Sequence, residues 1–182
     1  MRKELYKSLV ERLQQLIIVE GEIAFVSKEK LQALKDAGQT PEEAIKHFAL
    51  WNNQIENITF IEAFALPAVF IQFGMVKWRH QSDGLQDADL VIGLHVITEF
   101  TSDEYGNDLF FLDLLDKINR CLHGFSSEHF SSMQRIESNP CHDHFELLDN
   151  TEVFKCMATD DSAVQKLIKI DGTKGNILIT KV

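Results

Sequence analysis

Apolar residues recur along this chain with two different periods, and the change from one to the other is sharpest between Leu66 and Phe125. The segments LPAVFIQF (66–73) and ADLVIGLHVITEF (88–100) are rich in aromatic and β-branched residues, which fit a pleated, half-buried surface and predict two strands. Phe70 and Gln72 lie in the first, which Pro67 opens at a position a strand tolerates and which ends near Gly74. Between Lys77 and Asp89 the composition turns polar, and Asp83-Gly84 favours the positive backbone dihedrals of a tight turn, so the two strands are expected to pair antiparallel. The period then changes. Phe111, Leu114, Leu115, Ile118, Cys121, Leu122 and Phe125 recur at spacings of three and four, which places them on one face of a helix stopped by Gly124. Asp108 and Asp113 in its first half and Lys117, Arg120 and His123 in its second half are arranged as the helix dipole prefers.

The flanking regions repeat these signals. Leu5, Leu9, Leu13, Leu16 and Ile17 form a helical stripe in the first segment. From Gly21 to Gln39 periodicity is weak, although Ser27 is placed to cap a short helix containing Leu31 and Leu34. Thr40-Pro41-Glu42-Glu43 has the form of a capping box before Ala44, Ile45, Phe48 and Ala49, and predicts a further helix ending near Asn52-Asn53. After Phe125, a Ser-rich stretch leads to alternating Met133, Arg135 and Glu137, a strand closed by the Asn139-Pro140 breaker. In TEVFKCMA, Val153, Lys155 and Met157 oppose Phe154, Cys156 and Ala158, which predicts a fourth main strand. LIKI and NILITKV around Asp171-Gly172 give a terminal hairpin over 166–182. The expected architecture is α+β: an antiparallel sheet of four or more strands with two main helices on one face. It occupies one domain, 1–182, with a helical or irregular excursion at 18–62 and the terminal hairpin.

Composition narrows the function. A chain of 182 residues, 45% hydrophobic and 25% charged, buries a core without metal or disulfide staples. Its cysteines, Cys121, Cys141 and Cys156, are odd in number and irregularly spaced, which disfavours a disulfide framework and points to a reducing, cytoplasmic setting. Charges interrupt every apolar run of the MRKELYKSLVERLQQ N-terminus, so neither a signal peptide nor a membrane span is expected. A formal net charge of −10 argues against sequence-specific nucleic-acid binding, which needs Lys and Arg to neutralise phosphates. The same charge serves solubility, and an acidic wall also lets DNA pass without adhering.

In the N-terminal helix, the PAVFIQF strand, the DADLVIGLHV strand and the DLLDKINRCLHGF helix, taken in that order, the chain resembles the tail terminator or tail completion proteins of siphophage-type tails, the lambda-like tail protein U group and its relatives. These segments cover about half of the chain and contain no invariant chemical motif; the 18–62 excursion and the terminal hairpin depart from the family outline. The resemblance implies a structural, non-enzymatic phage or prophage protein that forms a homo-oligomeric ring at the head-proximal end of the tail tube. Its implied partners are the tail tube protein and head-tail connector proteins, in the host cytoplasm and then in the virion.

Candidate chemistry is sparse. Cys141, His142, Asp143 and His144 cluster, and on an extended chain His142 and His144 share a face. Structural zinc draws on two separated ligand pairs, and a catalytic site on a third ligand with an open position, so a polar loop is the simpler reading. His47, His80, His95, His123 and His129 are scattered, and no nucleophile elbow, phosphate loop, H-E-x-x-H pair or dinucleotide fingerprint is present. Asp113 with Asp116 and Glu42 with Glu43 read as solvated helix charges. Trp78-Arg79-His80 is placed either to anchor a protein contact or to pack a core. No catalytic, cofactor or metal residue is therefore assigned. The rivals to the structural reading are a metal-dependent enzyme using His142, His144 and a distant carboxylate, and a small binding module with a pocket between sheet and helices.

Overall fold

The computed structural model describes residues 1–54, 64–99, 108–141 and 147–164. Helix α1 (Arg2–Leu13) forms around Leu5, Leu9 and Leu13, which recur at i, i+4 and i+8 and are fully buried. The helix stops before the predicted stripe does. Leu16 and Ile17 instead open strand β1 (Leu16–Val19), which pairs antiparallel with β2 (Glu22–Phe25) across a two-residue turn. Both turn residues have positive φ, Glu20 at 53° and Gly21 at 84°. Short helix α2 (Lys28–Asp36) follows with Ser27 as its N-cap, the hydroxyl accepting from the Lys30 N–H at 3.3 Å, as expected.

The capping-box reading of Thr40-Pro41-Glu42-Glu43 is overturned. Glu42 and Glu43 form β3, antiparallel to β1, and His47–Leu50 form β4. Ala44 and Ile45 are buried in the main core, while Phe48 packs on that core and Ala49 packs toward the opposite side of the sheet, as neighbours on a strand must. A capping box is worth about 1 kcal/mol, less than the strand pairings and core burial that replace it here. The described part of the expected excursion thus supplies most of a three-stranded sheet, β2-β1-β3, with a helix beside it, and the edge strand β4 of the main sheet.

The main sheet has six strands and is mostly antiparallel. Its remaining members are β5 (Ala68–Phe73), β6 (Arg79–Ser82), β7 (Leu85–Glu99), β8 (Gln134–Cys141) and β9 (Leu147–Asp160). The order is β4-β5-β7-β9-β8, with β6 also on β7 and only the β4–β5 pair parallel. The expected hairpin is present. Strands β5 and β6 lie end to end along one edge of β7, and the turn at Asp83 (φ 46°) and Gly84 (φ 88°) joins β6 to β7. Gly84 is required twice over, because a Cβ there would lie 2.3 Å from the Ala163 carbonyl oxygen. Along its other edge β7 pairs with β9 from Gln86 opposite Asp160 to Glu99 opposite Leu147.

Strand β8 corrects one expectation: it continues through Asn139-Pro140 to Cys141. Pro140 is tolerated because β8 is the edge strand of the sheet. The alternation expected of β9 holds, with Phe154, Cys156 and Ala158 buried and Lys155 and Met157 exposed.

Helix α3 (Asp108–Leu122) buries Phe111, Leu114, Leu115, Ile118, Cys121 and Leu122 and is followed by Gly124 at φ 77°. Helices α1 and α3 pack on one face of the main sheet, their apolar stripes meeting Val69 and Ile71 of β5, Leu90, Ile92, Leu94 and Val96 of β7, and Phe154, Cys156 and Ala158 of β9. Two polar ties fix them: Arg12 Nε donates to the Cys121 carbonyl at 3.0 Å, and Lys117 Nζ donates to the Ile23 carbonyl at 2.7 Å. His142, Asp143, His144 and the hairpin expected at 166–182 lie outside the described residues.

Candidate functional site

The face of the main sheet turned away from α1 and α3 gathers polar and aromatic side chains from three strands. Period-two alternation sends Ala68, Phe70 and Gln72 of β5, Val91, Gly93, His95 and Ile97 of β7, and Thr151 and Val153 of β9 to this side. At one end a small apolar cluster of Ala68, Phe70, Ile97 and Leu147 is covered by Trp51, Phe64 and Leu66. The Trp51 indole lies flat on the His95 imidazole, with centroids 3.7 Å apart and planes 5° from parallel, and meets Phe70 edge-on at 6.0 Å. His47 stacks on Phe64 at 5.4 Å.

His95 is the polar centre of this face. Its Nε2 lies 2.8 Å from Gln72 Oε1 and its Nδ1 3.0 Å from Thr151 Oγ1. With the Gln72 carbonyl accepting, the proton sits on Nε2 and the Thr151 hydroxyl donates to Nδ1, which satisfies a neutral ring at both nitrogens. Burial pushes its pKa down to about 4, so His95 is uncharged at neutral pH. The arrangement holds the ring as a packing element under Trp51. Beyond it, a shallow depression of about 360 Å³ runs over Gly93 between Gln72 and Thr151 and on to Val91, Val153 and Asn139.

Further along, the sheet surface becomes charged. Arg79 reaches Asp87 at 3.0 Å and Asp89 at 3.2 Å, and Lys155 lies 3.9 Å from Asp89. Of the predicted Trp78-Arg79-His80 contact, Trp78 is half-buried, Arg79 is engaged by the two aspartates, and His80 is exposed. Glu152, fully buried beside the edge strand, accepts from Arg135 Nη1 at 2.9 Å, from Asn150 Nδ2 at 2.7 Å and from the Ser138 hydroxyl, which fastens β8 to β9 across the bulge at Ile136.

Sequence reasoning did not single out Trp51, Gln72, Thr151 or Glu152, and His95 was only one of several scattered histidines. No local signal marks them, because Gln72, Thr151 and Trp51 reach His95 from 23, 56 and 44 positions away, and Ser138 and Arg135 reach Glu152 from 14 and 17. Asp116 is exposed on its helix, whereas Glu42 and Glu43 are exposed on a strand and not on the helix expected of them. Burial pushes the Cys121 and Cys156 thiols up to about 11, so neither offers a thiolate at neutral pH. Cys141 closes β8, and its neighbours in the proposed ligand cluster, His142 to His144, lie outside the described residues. Among the described residues no group of three or more His, Cys, Asp or Glu is placed to hold a metal ion, and no helix is long and apolar enough to cross a membrane.

No family model matches the chain, and no curated protein matches it. Among solved structures it is similar to a chain of the "Virion of native gene transfer agent (GTA) particle", with a TM-score of 0.47 and 10% identity over 86% of this chain and 95% of that one. Similarity at that level carries no weight for fold or function.

Proposed function

We propose that this protein is a structural subunit of a phage or prophage tail, which forms a ring on the head-proximal end of the tail tube, stops its growth and presents a surface for head joining. One observation carries the reading. The four segments on which the resemblance to tail terminators rests become α1, β5, β7 and α3, and these pack against one another in a single core in that order along the chain. The surface favours assembly over turnover. Among the described residues no helix covers the sheet face that bears His95, Gly93 and Val91, the edge strand β8 is exposed along most of its length, and the histidine on that face has both ring nitrogens occupied. The net charge of −10 suits a subunit lining a passage through which DNA slides. The partners are the tail tube protein and connector proteins, with the protein acting as one domain in the host cytoplasm and then in the virion. Sedimentation of the purified chain with tail tubes from the same genome, followed by electron microscopy, tests this. Density at one end of each tube is expected; a chain that stays in the supernatant while tube ends remain bare rules the reading out.

A further inference from the structure

The ends of three elements meet around one arginine. Arg12, in the last turn of α1, donates from Nε to the Cys121 carbonyl in the last turn of α3. Its guanidinium lies over the ring of Phe25, which ends β2, and over that of Phe125, just past α3, with the central carbon 4.3 Å and 5.1 Å from the two centroids. These three contacts fix the group in one orientation yet use only one of its five N–H donors. The two Nη nitrogens have no partner among the described residues, and neither is shut away from solvent. No carboxylate of those residues pairs with Arg12, although acidic side chains outnumber Lys and Arg by 28 to 18 in the chain. Tying α1 to α3 needs the Nε bond alone, so the outer edge of the guanidinium is left unused by the fold. Beside it Phe25 is 44% exposed.

We propose that this junction of α1, β2 and α3 is a docking surface for a carboxylate-bearing segment of a protein partner. The carboxylate accepts from both Nη atoms of Arg12, and an apolar residue next to it covers Phe25. A guanidinium fork matches a carboxylate in two parallel bonds, and arginine beside an exposed aromatic ring is the pairing in which interfaces concentrate their binding energy. Because the stacked rings and the Cys121 carbonyl already hold Arg12 in place, docking costs little of the freedom that a loose arginine gives up. A phosphate would also fit the fork. The net charge of −10 repels a polyanion such as nucleic acid, and the exposed phenyl ring calls for an apolar neighbour, so a peptide carboxylate is the anion that suits the whole surface.

Titration with the blocked tripeptide acetyl-Leu-Glu-Leu-amide, followed by NMR at the Arg12 Nε–H and at the Phe25 ring, tests the surface. Saturable shifts at both groups are expected, and the same peptide with Gln in place of Glu is expected to bind about tenfold more weakly. Arg12→Lys keeps the charge but loses the fork, and Phe25→Ser loses the ring; each should weaken binding of the Glu peptide by about fivefold. Phe25 is exposed, so Phe25→Ser should leave the backbone amide spectrum of the core unchanged. Equal binding of the Glu and Gln peptides, inorganic phosphate binding as tightly as the Glu peptide, or a response that persists unchanged in both variants overturns the proposal. None of these outcomes bears on whether the chain caps tail tubes. Conversely, a chain that takes up the Glu peptide as expected but never sediments with tubes rejects the tube reading alone.

Discussion

His95 takes its protonation state from its surroundings: Trp51 covers one side, Gln72 and Thr151 occupy both nitrogens, and the residue is 8% exposed. Its pKa in the folded chain, about 4, lies below the ordinary 6.5, so between those values the unfolded chain binds a proton that the native chain does not. Stability contributed by the neutral ring is therefore complete above pH 6.5 and is lost as the pH falls toward 4, by up to about 3 kcal/mol. Carboxylates titrate over part of the same range, and comparison with His95→Gln removes their share. The difference in unfolding free energy between parent and variant should shrink from pH 7 to pH 4; a constant difference would show that the ring is not held neutral. Glu152 is the second decisive residue. Its carboxylate is buried with Arg135, Ser138 and Asn150 around it, so Glu152→Ala takes the shared acceptor from three donors, of which Asn150 keeps its bond to Ser138, and should cost about 3 kcal/mol in urea denaturation. A loss under about 1 kcal/mol would mean that β8 is fastened to β9 by its backbone alone.

At the scale of elements, what the sequence revealed depended on how local the deciding interactions are. The α3 stripe, the Ser27 cap, the Asp83-Gly84 turn and the β9 alternation all appear as expected, because each is set by neighbours within a few positions. Local patterns misled where pairing decided: Leu16 and Ile17 continue a helical stripe yet join β1, and Thr40-Pro41-Glu42-Glu43 satisfies a helix start yet supplies β3. The β1–β2 turn escaped notice because Glu20, not Asn or Asp, takes the positive φ. Asn139-Pro140 reads as a breaker only until β8 is known to be an edge. The α3 register has its own test. Leu115→Asp or Ile118→Asp places an unpaired charge in the core and should remove more than about 3 kcal/mol of stability, whereas Asp116→Asn should change it by less than about 0.5 kcal/mol. Equal tolerance of all three in thermal melting would show the face to be assigned wrongly.

At the scale of the whole molecule, the described residues cover one face of the main sheet with helices and leave part of the other face open. Helices α1 and α3 bury the first face, and the second is closed at its Trp51 end and bare over Gly93. Among the described residues the sheet surfaces left exposed are the face over Gly93 and the β8 edge. The proposed role as a tube terminator is an account of those surfaces together. The most direct test is the length of tail tubes polymerised in the presence of increasing amounts of this chain. The account predicts that mean tube length falls as the chain is added, with each shortened tube carrying the protein at one end. Unchanged tube lengths at every ratio, with the chain absent from tube ends, would contradict it.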